Sequence, residues 1–478
     1  MGERAVKHLY MNGVWKEASS YVELRSPYSG EKIVDVAQAD EADTGEAIRA
    51  ASEAAAVMAA LPAFRRSAIL EKAAALLEER KEEMARLIAL EAAKPIRTAR
   101  GEIARTIQTY KFAAMEACRI HGETVPVDAA PGGEGRIAFT QRKPLGVVGA
   151  ITPFNFPFNL VAHKVGPAIA AGNTVVLKPA GQTPLSALAL ADVFAEAGLP
   201  AGALNIVPGK GSVVGEKLVR DPRVAAITFT GSPEVGIAMK QKAGLKRVTL
   251  ELGSNSGLII DGTADITPEL IDRCIVGAFS FSGQVCISIQ RIFVHESKYD
   301  EFAEKFKEAA EKLVIGDPLD EATDLSAMIS VKEAERMQAW VDSAVAAGAV
   351  VLTGGRMLEP GLFPPTILTG VPANEPASCQ EVFGPLVTLT PFRELDEAIE
   401  AINDSRYGLQ AGIYTRDIQA AMRAADRLEV GGVMINDFPT FRVDNMPYGG
   451  VKESGFGREG VKYAVEEMTE LKLVCIKL

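Results

Sequence analysis

The chain has 478 residues, 47% of them hydrophobic and 24% charged, which is typical of a globular protein with more than one domain. The net charge of −11 argues against a nucleic-acid or anionic-membrane surface, and no apolar run is long enough to span a bilayer. The N-terminus lacks a signal-peptide pattern, and the five cysteines are scattered without CxxC pairs. We therefore expect a cytoplasmic protein without disulfides, and the spacing of the four histidines predicts no metal site.

The first 122 residues begin with short strand-like pieces and continue as helices. Residues 66–92 carry spaced leucines among Glu, Lys and Arg, which predicts an amphipathic stretch that ends before Pro95. Residues 136–142 alternate as a β-ribbon, and residues 471–478 alternate as a strand. Neither segment fits the α/β pattern around it. We therefore expect both to pair with strands outside their own domain, and a boundary between subunits is one place where they could do so.

From Pro144 onward, apolar strands alternate with helices and glycine-containing turns. The predicted strands cover 146–152, 174–177, 204–207, 225–229 and 248–250, and the predicted helices cover 184–197, 213–219 and a stretch from Pro233. Strands that are apolar throughout predict a parallel sheet with helices on both faces.

A second α/β series follows Glu251. Its predicted strands cover 258–260, 291–294, 350–352, 386–389, 411–414 and 433–435, and its predicted helices cover 298–313, 331–347 and 417–428. The fold class is therefore α/β with two α/β domains, and we expect a catalytic cleft between them.

Cys286 is the cysteine whose surroundings indicate reactivity. It follows Gly283 and Gln284 and precedes an apolar-alternating strand, which favours access to the thiol. Glu251 lies between two leucines and precedes Gly253, which favours a partly buried carboxylate with a raised pKa. A nucleophilic thiol and a basic carboxylate indicate covalent catalysis followed by hydrolysis. A structural cysteine and a surface glutamate are the ordinary alternatives.

Three segments at strand ends are candidates for binding a nucleotide. Gly209-x-Gly211-x-x-x-Gly215 stands between a strand and a helix, where N–H groups could face a pyrophosphate, although a tight turn explains it equally well. Ser232 ends the turn Phe-Thr-Gly-Ser and either caps a helix or donates to a phosphate. Lys178 ends a strand, where it either reaches a ribose or phosphate or simply faces solvent.

Asn155 lies in the segment Thr-Pro-Phe-Asn-Phe-Pro at 152–157. The flanking prolines and phenylalanines would hold its amide rigidly in an apolar setting, which is what a donor to an oxyanion requires. The alternative is an asparagine that satisfies the amides of its own turn.

These motifs occur in an order that resembles the aldehyde dehydrogenase superfamily over almost the whole chain. The matching segments are 151–157, 178–179, 229–232, 251–253, 283–286, 381–385 and 446–455. The resemblance implies three parts and a homodimer or homotetramer. The parts are a Rossmann-variant dinucleotide-binding domain at 1–122 and 144–250, a catalytic domain at 251–446, and a small β oligomerisation flap from 123–143 and 447–478.

The resemblance also implies NAD(P)-dependent oxidation of an aldehyde to a carboxylic acid. Cys286 resembles the nucleophile that attacks the aldehyde, and Asn155 resembles the donor to the resulting oxyanion. Hydride then leaves for the nicotinamide, and Glu251 resembles the base that activates water to hydrolyse the thioester. The residues expected at the cofactor are Thr152, Pro153, Lys178 (also placed in the catalytic group), Ala180, Gly181, Gly211, Gly215, Phe229, Gly231, Ser232, Glu251, Leu252, Gly253, Glu381 and Phe383.

Two departures from the family pattern bear on specificity. Members strict for NAD usually carry a glutamate where this chain has Gly181, so we expect NADP to be accepted, either alone or together with NAD. His163 stands where the family often has a tryptophan, and Asn159, Arg105 and Arg442 add polar or cationic groups near the substrate tunnel. These residues predict a small hydroxylated or anionic aldehyde, such as lactaldehyde, a semialdehyde, or a phospho- or phosphonoaldehyde. The alternative is that both arginines pair with local carboxylates.

Three other functions compete with this interpretation. A CoA-acylating semialdehyde dehydrogenase typically lacks the glutamate at the position of Glu251. A non-catalytic structural or binding protein on the same scaffold would have no need of Cys286, Glu251 and Asn155 together. A cofactor-free cysteine hydrolase would need a histidine partner, which the sequence does not identify.

Overall fold

The computed structural model of the chain describes residues 6–478, so the first five residues of the N-terminus, where no signal peptide is predicted, lie outside the described residues. The strands are β1 (Val6–Lys7), β2 (Leu9–Met11), β3 (Val14–Lys16), β4 (Ser20–Arg25), β5 (Lys32–Gln38), β6 (Thr124–Val125), β7 (Arg136–Pro144), β8 (Val147–Ile151), β9 (Thr174–Lys178), β10 (Leu204–Ile206), β11 (Val224–Thr230), β12 (Arg247–Glu251), β13 (Gly257–Ile260), β14 (Arg291–His295), β15 (Val350–Thr353), β16 (Thr366–Thr369), β17 (Leu386–Phe392), β18 (Tyr407–Gly408), β19 (Gln410–Tyr414), β20 (Gly432–Ile435), β21 (Val451–Lys452), β22 (Gly455–Phe456) and β23 (Thr469–Lys477). The α-helices are α1 (Glu41–Ala60), α2 (Ala63–Glu79), α3 (Lys81–Ala92), α4 (Ile96–Ala117), α5 (Asn159–Ala171), α6 (Pro184–Glu196), α7 (Glu216–Arg220), α8 (Pro233–Lys242), α9 (Pro268–Phe279), α10 (Tyr299–Ala310), α11 (Val331–Ala346), α12 (Pro376–Cys379), α13 (Leu395–Asn403), α14 (Ile418–Arg427) and α15 (Val461–Glu467).

The first large sheet has eight strands in the order β22-β12-β11-β8-β9-β10-β2-β3. The five strands from β12 to β10 are parallel, and β22, β2 and β3 join the two edges antiparallel. Alternate residues of β8 enter separate cores: Val148 and Ala150 pack with α5, whereas Val147 and Ile151 pack with α1. Because both faces are covered, the strand is apolar throughout, and the predicted parallel sheet is confirmed.

The second large sheet has seven strands in the order β15-β16-β17-β14-β13-β19-β20. All are parallel except the edge strand β15. The predicted strands of this series are present, but the sequence interpretation missed β16, whose short segment Thr-Ile-Leu-Thr has no continuous apolar run. The predicted α/β class with two α/β units is therefore confirmed.

A three-stranded antiparallel sheet, β23-β7-β6, contains the two segments that fit neither series. β23 pairs with β7 along nine residues, from Thr469 opposite Pro144 to Lys477 opposite Arg136. β23 is an edge strand, and Leu471, Leu473 and Ile476 are about half exposed on it.

Two helix predictions differ from the structure. The amphipathic stretch 66–92 forms two helices, α2 and α3, because the backbone leaves helical geometry at Arg80 (φ −104°, ψ 15°). The break lets each helix pack an apolar face on α4. The helix predicted at 213–219 is a π-turn at Gly211–Gly215 followed by the short α7.

Within residues 6–478, no single helix has both the length and the apolar composition to cross a membrane, although α1 and α2, bent by 115°, meet those criteria as a pair. Segments that flank strands of both large sheets line one cavity. There the carboxyl ends of β8, β11 and β12 face the loop that precedes β14, and this loop carries Cys286.

Candidate active site

A cavity of about 320 Å³ lies where the two sheets meet. Many of the predicted site residues line it, namely Pro153, Asn155, Gly231, Ser232, Leu252, Gly253, Cys286, Glu381 and Phe383. Eight lining residues were not predicted as site residues: Phe154, Gln182, Thr230, Gln284, Ile329, Ser330, Glu333 and Arg336. The structure thus brings the separate motifs of the sequence to one cavity.

The loop before Cys286 is held in an uncommon backbone conformation. Phe281, Ser282 and Gly283 have φ values of 50°, 52° and 67°, in the left-handed region. A Cβ atom at Gly283 would lie 2.1 Å from the carbonyl oxygen of Gly384, so only glycine fits against this neighbouring segment. This contact explains physically why a glycine precedes Cys286 by three positions.

The sulfur of Cys286 contacts one hydroxyl group. Its Sγ lies 3.0 Å from the hydroxyl oxygen of Tyr448, which is itself buried. Burial raises the pKa of the Cys286 thiol to about 11, and the bond to Tyr448 and the charge of Arg442 oppose that rise. Tyr448 was part of a family motif in the sequence, but no role was predicted for it.

Asn155 lies beside the Cys286 loop. Its Nδ2 donates to the backbone carbonyl of Gln284 at 3.1 Å, which uses one of the amide's two N–H groups. Its Oδ1 is buried and has no hydrogen-bond partner among the described residues. The amide is therefore fixed close to the thiol with an N–H group left over.

A buried lysine that the sequence interpretation missed supports this loop. Nζ of Lys94 donates to the backbone carbonyl of Asn155 at 2.6 Å and lies 3.8 Å and 4.5 Å from the ring centroids of Phe156 and Phe281. Lys94 also forms an ion pair with Glu102, and neither side chain is exposed. Lys94 thus contacts both the Asn155 loop and the Cys286 loop.

Glu102 fixes the other end of the Asn155 loop. Its Oε1 accepts the N–H groups of Phe158 and Asn159, at 2.9 Å and 3.2 Å, where α5 begins. These N–H groups have no partner inside the helix, and a carboxylate at a helix N-terminus is electrostatically favourable.

Glu251 ends β12 and is 3% exposed, which agrees with the buried carboxylate expected from its neighbours. Neither carboxylate oxygen has a hydrogen-bond partner among the described residues. Burial, and next the negative charge of Glu459, raise the pKa of Glu251 well above its ordinary value. A carboxyl group in this state can act as a base near neutral pH.

Glu381 and Gly253 meet at the cavity wall. Glu381 accepts the backbone N–H of Ser254 at 3.0 Å, and burial raises its pKa to about 7. A Cβ atom at Gly253 would lie 2.6 Å from the Glu381 carboxylate. Phe383 packs edge-to-face on Phe154, with 5.7 Å between ring centroids.

Several residues predicted at the cofactor do not line this cavity. They are Thr152, Lys178, Ala180, Gly181, Gly211, Gly215, Phe229 and Glu251. Lys178 is mostly buried, its Nζ donates to the carbonyl of Pro179, and burial lowers its pKa to about 8. Gly215 is packed near Met239, so it faces the interior, whereas added Cβ atoms at Gly181 and Gly211 would meet nothing within 4 Å.

Asp444 joins three of the residues predicted at the substrate. It lies 2.9 Å from Nε2 of His163 and accepts from a guanidinium N–H of Arg105 at 2.7 Å and from Nδ2 of Asn159 at 3.2 Å. Burial alone would raise the pKa of Asp444, but His163 and Arg105 hold it below its usual range. Nδ1 of His163 is buried and has no partner among the described residues.

The fourth, Arg442, is buried beside Tyr448. It pairs with Glu459 at 3.0 Å, and Glu459 in turn accepts from Nζ of Lys164 at 2.8 Å. Nε of Arg442 is buried without a partner among the described residues. Both arginines therefore pair with carboxylates, which is the alternative left open by the sequence.

The aldehyde dehydrogenase family model matches residues 15–474. The chain belongs to the aldehyde dehydrogenase family. It is 48% identical over 472 residues to the 3-sulfolactaldehyde dehydrogenase of Priestia aryabhattai, with 98% of each chain covered.

Two solved structures of this family are also similar. Aldehyde dehydrogenase 21 from Physcomitrella patens, in complex with the reaction product succinate, has a TM-score of 0.97 and 42% identity, with 99% of this chain and 98% of that chain covered. Glyceraldehyde-3-phosphate dehydrogenase GapN from Methanocaldococcus jannaschii, complexed with NADP, has a TM-score of 0.92 and 41% identity, with 96% and 100% covered. The predicted family and activity class are thus confirmed: the protein is an aldehyde dehydrogenase. Among residues 6–478, no group of three or more His, Cys, Asp or Glu side chains could hold a metal ion.

Proposed function

We propose that Cys286 is the nucleophile that forms a covalent bond to the aldehyde carbon. The observation that carries this role is the position of its sulfur in a cavity shared with the Asn155 amide and the Glu381 carboxylate. The thiolate adds to the carbonyl carbon and the carbonyl oxygen becomes an alkoxide. The free N–H of Asn155 and the backbone N–H of Cys286 donate to this oxygen.

Glu251 acts after the substrate carbon has been oxidised to a thioester. Its carboxylate takes a proton from water, the hydroxide attacks the thioester carbon, and the Cys286 thiolate leaves with the carboxylic acid as product. Neither Glu251 oxygen has a hydrogen-bond partner in residues 6–478, which supports this role because the carboxylate can then bind a water.

The cavity fits the nicotinamide end of NAD or NADP. Gly231 and Gly253 lack the Cβ atoms that would collide with Phe229 and Glu381, so these side chains pack closely at the cavity wall. Glu381 offers a carboxylate to a ribose hydroxyl, and the buried Oγ1 of Thr230 lacks a partner among the described residues. When bound there, the nicotinamide would accept a hydride from the substrate carbon. Pro153, Leu252 and Phe383 would enclose it and exclude water.

A cofactor with a phosphate on its adenosine ribose fits the segment after β9. Gly181 is exposed with open space around its Cα, and nearby Lys178 supplies a cation. The similar GapN structure holds NADP. We expect kcat/KM for NADP to equal or exceed that for NAD. Gly181→Glu should reverse this preference, and a wild-type enzyme inactive with NADP would contradict the proposal.

The substrate is a small aldehyde with an anionic or hydroxylated tail. Within residues 6–478, the buried Nε of Arg442 and Nδ1 of His163 lack hydrogen-bond partners. Arg105, which shares Asp444 with His163, is about a third exposed, so polar groups remain for a ligand. One similar relative acts on 3-sulfolactaldehyde and a similar structure holds succinate, both of which carry an anionic group.

The substrate class is tested by comparing kcat/KM for 3-sulfolactaldehyde, succinic semialdehyde and neutral aldehydes of the same length. Arg105→Met should lower kcat/KM for the anionic aldehydes about 10- to 100-fold and leave the neutral ones nearly unchanged. Arg100→Met is the matched control, because Arg100 lies on the same helix but pairs with Glu82 and Glu321 at the surface. A wide preference for long aliphatic aldehydes would refute this class.

The proposal also covers the assembly of the protein and its location in the cell. The half-exposed apolar residues of the edge strand β23 suit a contact with a second copy, so we expect a homodimer or homotetramer. Analytical ultracentrifugation checks this, and Leu473→Lys should weaken the assembly.

The five free cysteines fit a reducing compartment such as the cytoplasm.

The catalytic role itself is tested by Cys286→Ala. This variant should form no reduced cofactor in the presence of aldehyde, and retained turnover would refute the mechanism. Turnover that depends on added CoA would favour the acylating alternative.

A further inference from the structure

The contact between Tyr448 and Cys286 has no part in the steps above. The hydroxyl oxygen lies 3.0 Å from Sγ, and within the described part of the chain this is the only hydrogen bond that either side chain makes. Tyr448 is 3% exposed, so water does not readily replace this bond. The buried hydroxyl of Tyr448 therefore forms its one side-chain hydrogen bond, within the described residues, with the sulfur of Cys286.

The direction of this bond follows from the protonation states. A thiolate can only accept a hydrogen bond, whereas a phenol can donate or accept. Burial raises the pKa of Tyr448 well above its ordinary value, so the phenol keeps its proton. Once Cys286 ionises, the O–H of Tyr448 must donate to the sulfur, and a hydrogen bond to a charged group is stronger than one between neutral groups.

Arg442 strengthens this donor. Its guanidinium carbon lies 3.6 Å from the centroid of the Tyr448 ring, and its ion pair with Glu459 keeps it there. A cation over the ring face is attracted by the π electrons, fixes the ring and makes the phenol O–H more polar.

We propose that Tyr448 is a further catalytic residue, whose hydroxyl donates to the Cys286 thiolate and stabilises it before the aldehyde arrives. The inference rests on the proposed role of Cys286 as the nucleophile. Tyr448 keeps its proton throughout, so no covalent bond to it forms or breaks. Its effect is to increase the fraction of sulfur present as thiolate in a cavity that otherwise disfavours the charge.

The test uses Tyr448→Phe, which removes the hydroxyl and keeps the ring. The rate at which iodoacetamide alkylates Cys286, without aldehyde, is followed by peptide mass spectrometry as a function of pH. We expect the pH profile of the variant to move to higher pH, with alkylation at neutral pH slowed about tenfold, because one pKa unit changes the thiolate fraction tenfold.

Tyr110→Phe is the matched control. Its hydroxyl is also buried but has no partner among the described residues, so removing it should leave the alkylation profile unchanged. A second variant keeps the test decisive if Tyr448→Phe does not fold. Difluorotyrosine at position 448 preserves the ring and is a stronger donor, and it should move the profile to lower pH.

The outcomes separate this inference from the proposed function. If Tyr448→Phe unfolds at the same temperature as Tyr110→Phe and its profile superimposes on that of the unmodified enzyme, the role of Tyr448 is refuted while Cys286 keeps its own. If Cys286→Ala retains dehydrogenase turnover, the nucleophile itself is refuted, whatever the alkylation profiles show.

Discussion

Replacing Lys94 with methionine should lower both the free energy of unfolding and kcat, each through the loss of a different contact. The substitution leaves Glu102 buried without its cation, and removing one partner of a buried ion pair costs about 3–5 kcal/mol. It also deletes the bond from Nζ to the Asn155 carbonyl and the contacts with two aromatic rings. The Asn155 amide then loses its fixed position, so we expect kcat to fall about 10- to 100-fold.

A double variant distinguishes the two effects. Lys94→Met with Glu102→Gln removes both charges but keeps an oxygen that can accept the N–H groups of Phe158 and Asn159. Its free energy of unfolding should therefore recover by about 2 kcal/mol relative to the single variant, because no buried charge is left unpaired. Its kcat should stay low, because the bond to the Asn155 carbonyl is still absent.

The measurements are urea unfolding curves and steady-state kinetics of both variants. Lys72→Met is the control, since Lys72 also donates to a backbone carbonyl, that of Glu196, but is exposed, and it should change stability by less than about 0.5 kcal/mol. If the double variant recovers kcat together with stability, Lys94 does not position Asn155. If Lys94→Met has the same free energy of unfolding as the original chain, the ion pair between Lys94 and Glu102 does not stabilise the fold as expected.

Other predictions concern the remaining site residues. Asn155→Ala should lower kcat about 100- to 1,000-fold while Cys286 still alkylates normally, and an unchanged kcat would exclude the oxyanion role. Glu251→Gln should form one equivalent of reduced cofactor per active site and then stop, leaving a thioester on Cys286 that mass spectrometry detects. Continued formation of reduced cofactor at a steady rate would contradict this. The pKa of Glu251 is higher in the folded state than in the unfolded state, so between these two values only the folded state keeps the proton. The free energy of unfolding therefore falls as the pH rises through this interval. Glu251→Gln should therefore be more stable than the original chain at pH above that range, with the difference vanishing at acidic pH in thermal unfolding. Gly253→Ala should raise KM for the cofactor, because the added Cβ displaces Glu381, and an unaltered KM would place the cofactor elsewhere.

The sequence allowed the family, the α/β class and three proposed catalytic residues to be predicted. Cys286, Asn155 and Glu251 lie in short local motifs, where the types of neighbouring residues indicate the chemistry. The parallel sheet was predictable for the same reason, since strands covered on both faces are apolar throughout. The helix break at Arg80 was not, because no proline or glycine marks it and tertiary packing decides it.

The residues missed by the sequence interpretation act through contacts between distant segments. Lys94 reaches Asn155 across 61 positions, Tyr448 reaches Cys286 across 162, and Asp444 reaches His163 across 281. A lysine, a tyrosine or an aspartate in such a segment has many ordinary roles, and its own neighbours in sequence do not distinguish among them. The same holds for Arg105 and Arg442, whose carboxylate partners only the fold supplies.

The sequence by itself determined the family and the reaction class of this protein, because the segments that carry the proposed thiol, amide donor and carboxylate base are short local motifs. Only the tertiary structure decided how these groups are charged and held, because burial and distant partners set the pKa values of Cys286, Glu251 and Tyr448. Those quantities depend on which side chains the two sheets bring together, and no single segment of the chain contains that information.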